Sequence, residues 1–393
     1  MRRIFILSCC LYSLCLGQNK IRLHYTGLEQ ERRQEWAWEG VVNGRLDAAA
    51  PVWQGGDLIL QKSPAFFSTH KNDKSSSYCA IFKAGQKNGK ARFSAESASS
   101  PFVFSERDGR LTLSENGKPV YVYNQTPQLP AGIPEDRRRS TYFHPVYDLD
   151  GGMVTDDFPA DHLHHRGLSW MWPHVTIAGQ EYNLWEMRGG VIRQVFESWL
   201  AKETGPIAAI VGIKNCWMVQ DRNVMDEWVW MRVFRSGPEA RVLDLALTLQ
   251  PRQPVRLLGA DGKGYGGLCF RFAPRDCTVI TSADGLESSD SNDRRPVWAD
   301  LSANYKASGH TCGVTIMQAS ANPDAPAEWC LRHYGFLGVS WPGLIPVTLP
   351  ADKPVTMAFR IVIHRNKLAP GSAEEWYRNF TGMANVKIEE AMQ

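Results

Sequence analysis

The chain has 393 residues, 43% hydrophobic and 22% charged, which describes one large β domain or two ordinary globular domains. Its formal net charge of +3, with acids and bases interspersed, is too small to argue for nucleic acid or an anionic membrane surface as a partner.

The N-terminus reads MRRIFILSCCLYSLCLGQNK. Arg2 and Arg3 precede a short apolar run from Ile4 to Leu16, and Gly17 is a small residue at a cleavage position. This pattern predicts a secretory signal peptide over residues 1–17, too short for a membrane-spanning helix. No later stretch is long and apolar enough to cross a bilayer, so the expectation is an exported protein, periplasmic or secreted. Three of the nine cysteines lie in this leader. The other six, Cys79, Cys216, Cys269, Cys277, Cys312 and Cys330, match no C-x-x-C metal spacing. An oxidising compartment permits disulfides, and the strand-like surroundings of several suit buried thiols equally.

Residues 18–100 read as a smaller β-rich segment. VWQGGDLILQ predicts strand, KNDKSSSY and KAGQKNGK predict loops, and SAESASSP predicts a linker ending at Pro101. From Phe102 the pattern sharpens. RLTLSENGKPVYVYNQ holds two alternating runs about Asn116-Gly117, a strong hairpin signal. VMDEWVWMRVF separates Met225, Glu227, Val229 and Met231 from Val224, Asp226, Trp228 and Trp230. RVLDLALTLQ places Leu243, Leu245, Leu247 and Leu249 on one face. GLCFRF, CTVITSA, PVWADL, CGVTIMQ and PVTMAFRIVIH follow as further short strands. The sum predicts an all-β protein whose residues 101–382 form a large two-sheet β-sandwich. One helix is expected near the C-terminus, where Ser372 and Glu375 make a capping-box pattern for SAEEWYRNF, and residues 383–393 read as a tail.

The densest chemistry lies in DFPADHLHHRGLSWMW, residues 157–172. Pro159 argues against regular strand and Gly167 permits a bend, so DHLHHRG is expected as a loop entering the strand at Leu168. In a locally extended backbone His162 and His164 point to one side and Leu163 and His165 to the other. Such an H-x-H pair can chelate a divalent transition metal, with Asp161, His144 or Glu186 as the third ligand. Alternatively the histidines and a carboxylate perform acid/base chemistry or hold hydroxyls, with Arg166 gripping an anionic or hydroxyl-rich group. The bland reading is a set of histidines satisfying backbone groups, with Arg166 paired to Asp161. His144 in STYFHPVYDLDG, Glu186 in NLWEMRGG and Arg332 in EWCLRHYG are further candidates. Trp170, Trp172, Trp185 and Trp329 flank these polar groups, as sugar-stacking faces or as core. The run Arg137-Arg138-Arg139 is expected to be a solvated loop. GADGKGYGG, residues 259–267, reads as a loop rather than a nucleotide cradle because no helix follows. No G-x-S-x-G, H-E-x-x-H or P-loop motif occurs.

The stretch YFHPVYDLDGGMVTDDFPADHLHHRGLSW resembles the signature of the bacterial DUF6807 family, also labelled the PmoA family. The pattern Y-x-H-P-(L/V)-Y, a D-G turn and P-x-D-H-x-H-H-R-G falls on His144, Pro145, Asp161, His162, His164, His165, Arg166 and Gly167. RVLDLALTL, GADGKGYGG, RPVWADLS, NPDAPAEWCLRHYG and FRIVIH resemble family segments too, and the likeness spans about residues 102–380. It implies an exported protein with a galactose-mutarotase-like super-sandwich, and sugar chemistry by analogy of fold. The methane-oxygenase label implies transmembrane helices, for which this sequence carries no segment.

The expectation carried forward is a carbohydrate-active enzyme of hydrolase or epimerase type. His162, His164, His165 and Glu186 would be catalytic, and His144, Asp161, Arg166, Trp170 and Arg332 would bind a hydroxyl-rich small substrate. The alternatives are a metal-dependent enzyme built on His162 and His164, and a glycan-binding protein without catalysis.

Overall fold

A computed structural model describes residues 20–28, 33–43, 52–67, 77–95 and 99–390; the expected leader at 1–17 lies outside the described residues. The fold is mostly β, as expected, and the described residues form two nine-stranded sheets, a four-stranded sheet, a small closed barrel and one α-helix, Ser372–Thr381.

The first nine-stranded sheet runs from Phe102–Arg107 at one edge through Arg110–Glu115, Lys118–Asn124, Tyr142–Val146 and Leu168–Met171. It continues through Gly267–Arg271, Phe336–Ser340 and Glu328–Arg332 to Ser291–Arg294. The predicted hairpin is present. Asn116 and Gly117 both take positive φ (49° and 79°), the backbone whose twist matches the flanking strands. The second sheet is built on the long strands Ile192–Thr204, Ala208–Val219, Arg222–Phe234, Ala240–Pro251 and Val355–Arg365.

The two sheets share one core. Tyr121, Phe143, Leu168 and Trp170 from the first meet Ile213, Trp217, Met225 and Leu245 from the second. The alternation of RVLDLALTLQ holds, since Leu243, Leu245, Leu247 and Leu249 are all buried in that core. Met225, Glu227, Val229 and Met231 face inward as well. Glu227 is satisfied there by four N–H donors: Trp217 at 2.7 Å, Trp170 at 2.8 Å, Asn215 at 2.8 Å and Gln194 at 3.1 Å.

The other face of the second sheet is covered by the barrel and the helix, which contribute Trp36, Trp38, Phe82 and Phe380 against Ala246, Ala358 and Val362. Across this junction Arg232 bonds Glu39 (2.7 Å) and Asp244 (2.6 Å), while Arg360 bonds Asp244 (2.8 Å) and the Ala37 carbonyl (2.8 Å). Two buried cations thus balance two buried carboxylates, and removing one member would strand its partner.

Two expectations at the C-terminal end are corrected. Residues 383–393 do not form a plain tail, because Lys387–Glu390 is a strand of the barrel, pairing with Lys20–Thr26 and Trp36–Asn43. The capping box is not formed either. Gly371 is the N-cap without a side-chain bond, and Glu375 instead accepts from the Arg33 and Gln34 backbone N–H groups at 2.8 and 3.0 Å. Tethering the barrel segment satisfies two donors, which outweighs one local cap.

Candidate functional site

Residues 159–165 form two successive turns, not extended backbone. The His162 N–H donates to the Pro159 carbonyl (3.0 Å) and the His165 N–H to the His162 carbonyl (2.9 Å). A chain that turns every three residues brings positions i and i+3 together. His162 and His165 therefore stack, with ring centroids 4.6 Å apart and planes 6° from parallel, instead of pointing to opposite sides. His164 stands edge-on to both, 5.7 Å from His162 and 4.6 Å from His165. Gly167 ends the loop where a Cβ would come 2.5 Å from the Phe143 carbonyl oxygen, so only glycine lets the chain join the sheet at Leu168.

Arg166 holds these turns. It is 1% exposed, and its guanidinium donates to the carbonyls of Leu163 (3.0 Å), His165 (2.6 Å) and Arg137 (2.5 Å) while lying 3.4 Å over the Phe158 ring. The expected substrate-gripping arginine is therefore a backbone staple, and its charge faces Asp157 (3.6 Å), not Asp161. The arginine run is corrected too. Arg138 is exposed and pairs with Glu135, but Arg139 is buried and donates to the Leu184 and Trp170 carbonyls, each at 3.1 Å. Arg137 donates to the Glu186 carbonyl at 3.0 Å. Together Arg137 and Arg139 anchor the turn that presents Glu186, and an Asn183 side chain accepting the Glu186 N–H (2.7 Å) completes it.

A cavity of about 210 Å³ opens beside the stacked histidines. His162, His164, His165 and Glu186 line it, with the faces of Trp185, Tyr265, Tyr334 and Phe336 and the side chains of Lys263, Cys330 and Arg332. Burial, opposed by Glu186 and reinforced by His162, Arg137 and Arg166, pushes His164 down to about 4. Burial also holds His165 well below the usual imidazole range. Both rings are thus neutral near pH 7. The Nδ1 of His162 lies 3.0 Å from Asp161 Oδ2. Asp161 is itself clamped by Arg271 at 2.7 Å.

The structure thus brings together His162, His164, His165, Glu186 and Arg332, and leaves the other expected residues elsewhere. Trp170 is buried between the sheets with its N–H on Glu227 because its strand is covered on both faces. His144 does not line the cavity; its Nδ1 lies 3.0 Å from Thr155 Oγ1, and burial pushes it down to about 3. Asp161 acts on His162 from outside the lining. Among the described residues no group of three His, Cys, Asp or Glu side chains is placed to hold a metal ion. Lys263, Tyr265, Cys330, Tyr334 and Phe336 were not singled out from sequence. Lys263 and Tyr265 sit on the glycine-rich 259–267 loop, Cys330 and Phe336 on strands and Tyr334 in the turn that joins them, these three more than 150 positions from the histidines, a proximity that local patterns do not encode.

These features define a two-sheet β-sandwich protein with a small histidine- and aromatic-lined cavity at one end of a sheet. The chain belongs to the DUF6807 family, a family of unknown function, whose model matches residues 110–378. No curated relative matches it. Among solved structures it is similar to the α-galactosidase from Lactobacillus brevis, at 9% identity and a TM-score of 0.33 over 68% of this chain and 40% of that one. It is also similar to a GalM/aldose epimerase homologue from C. elegans, at 8% identity and a TM-score of 0.28 over 68% of this chain and 100% of that one. The match takes in two fifths of the galactosidase. At these TM-scores the likenesses carry no argument about activity.

Proposed function

We propose that this protein is a carbohydrate-active enzyme that moves protons on a single sugar ring at the histidine-lined cavity. The observation that carries the reading is the cavity's composition: one carboxylate, Glu186, and an Asp161-paired imidazole, His162, in a space of about 210 Å³ walled by aromatic faces. That volume lies below the ~300–1,000 Å³ of drug-sized sites and suits one ring. Flat aromatic faces suit the C–H faces of a sugar, and fixed polar groups suit its hydroxyls.

Glu186 takes a proton from the substrate and His162 gives one to it through Nε2; Asp161 favours the imidazolium that donates, and proton exchange with solvent then returns Glu186 to carboxylate and His162 to imidazolium. His164 and His165, kept neutral, offer hydrogen bonds without adding charge. Epimerase-type chemistry is favoured over hydrolysis because glycoside hydrolysis uses two carboxylates flanking the bond, and Glu186 is the one carboxylate among the cavity-lining residues. Export by the 1–17 leader is part of the proposal and places the enzyme where extracellular sugars reach it.

The test is proton or anomer exchange on a panel of monosaccharides, followed by NMR. Glu186→Gln and His162→Gln should each lower turnover on the order of 100-fold or more, with thermal midpoints nearly unchanged. Variants that unfold in step with their loss of activity, or a wild type inert toward every sugar tried, would sink the reading.

A further inference from the structure

The cavity lining carries one carboxylate, Glu186, and two cations from different parts of the chain: Lys263 from the glycine-rich loop and Arg332 from the Glu328–Arg332 strand. Both cations act on the Cys330 thiol of the same lining, which burial pushes up to about 11 while Arg332 and Lys263 draw it down. Tyr265, packed on Trp185 with ring centroids 4.6 Å apart, lies within the fields of both Glu186 and Arg332.

Neither cation is neutralised by a contact. Arg332 spends its terminal nitrogens on uncharged acceptors, the Ser291 and Leu331 carbonyls at 2.7 and 2.9 Å and the Asn292 amide oxygen. Asp290, whose carboxyl Arg332 helps to hold down, is engaged by His333 at 2.9 Å. Lys263 is exposed and makes no ion pair among the described residues. Two cations against the single carboxylate of one small cavity, neither of them in an ion pair among the described residues, suit an anionic group on the ligand.

We infer that the substrate of this site is a sugar bearing a carboxylate, a uronic acid, whose carboxylate meets Lys263 and Arg332 while its ring lies between Tyr265 and Tyr334 toward Glu186. The inference rests on the proton-transfer reading above and adds the charge of the substrate. Lys263 is the outer, adjustable contact and Arg332 the fixed one, since strand and carbonyl bonds hold its guanidinium in place.

Calorimetric titration of the full mature protein at low salt tests it, using D-galacturonate and D-glucuronate against D-galactose, D-glucose and acetate. The expected result is uronate binding at least tenfold tighter than neutral sugar or acetate, falling to the neutral-sugar level in Lys263→Met. Equal affinity for galactose and galacturonate, with no effect of Lys263→Met, overturns the uronate assignment and leaves the proton-transfer reading standing. Acetate binding as tightly as the uronates overturns it by showing an anion site without sugar recognition. No binding of any sugar overturns both readings together. Because Lys263 is exposed on a loop, the variant is expected to keep the wild-type melting temperature, which is measured alongside.

Discussion

The Arg166 guanidinium donates a 2.5 Å hydrogen bond to the carbonyl oxygen of Arg137, and Arg137 in turn donates at 3.0 Å to the carbonyl of Glu186. Through this relay the histidine turns and the Glu186 turn, distant in sequence, hold each other in place across the cavity. Positioning is thus built largely from arginine-to-carbonyl bonds made by residues outside the cavity lining.

Arg166→Met should cost about 3 kcal/mol or more, because it strands three carbonyls and the buried Asp157 carboxylate. Arg137→Met, which loses a part-buried neutral-acceptor bond, should cost about 1 kcal/mol yet lower turnover, since the Glu186 turn loses its tie. Denaturant midpoints and initial rates on both variants check this. A large stability loss for Arg137 with unaltered turnover would contradict the relay.

The pH dependence of stability should carry two opposing contributions. The folded value of His144, about 3, lies below the unfolded 6.5, so the unfolded chain binds the extra proton between them. Its contribution is present above pH 6.5 and is lost as pH falls toward 3. Asp157 is pushed up to about 6 from 3.8 by burial, with Arg166 opposing, so its contribution is present below 3.8 and lost as pH rises through 6. Relative to wild type, His144→Gln should gain a few kcal/mol on going from pH 7 to pH 4, and Asp157→Asn should gain on the order of 3 kcal/mol from pH 4 to pH 7. Urea midpoints at the two pH values decide the signs.

Glu227→Gln should destabilise the sandwich by about 2–4 kcal/mol. Four N–H donors converge on that carboxylate, and an amide replaces one acceptor oxygen with a fifth donor. The near-UV circular dichroism should change with it, because Trp170 and Trp217 are two of the donors. An unchanged melting temperature would mean that the buried cluster tolerates the lost charge.

The six described cysteines are all free thiols, five of them buried and Cys277 exposed. Ellman's reagent should therefore find one fast-reacting thiol in the folded, leader-free protein, and all six only after denaturation without reductant. Cys277→Ser should abolish the fast phase. A disulfide-linked peptide in a non-reduced digest would overturn this.

Much of the architecture was legible in the chain. The period-two alternation of 243–249, the Asn116-Gly117 turn and the strand starting at Leu168 all follow from local physics, because a side-chain period of two and a positive-φ pair leave few conformations open. The clustering of His162, His164 and His165 with Glu186 at one site was likewise indicated by chemistry gathered in short segments. Where the sequence misled, a distant partner outbid a local preference. Glu375 bonds the barrel segment instead of capping its helix, Arg139 is buried against Trp170 and Leu184 instead of solvated, and Arg166 staples its own loop.

By itself, then, the sequence determined the all-β class, the two-sheet core and the segment in which the ionisable chemistry is concentrated, since these depend on periodicity and composition within a few residues. Tertiary structure alone decided which faces of that segment meet. It curled the histidines into stacked turns, sent Trp170 into the core, and brought Lys263, Tyr265 and Arg332 into one cavity lining with Glu186. Those contacts depend on which strands become neighbours, and sheet order is settled by packing over the whole chain, not by any local pattern.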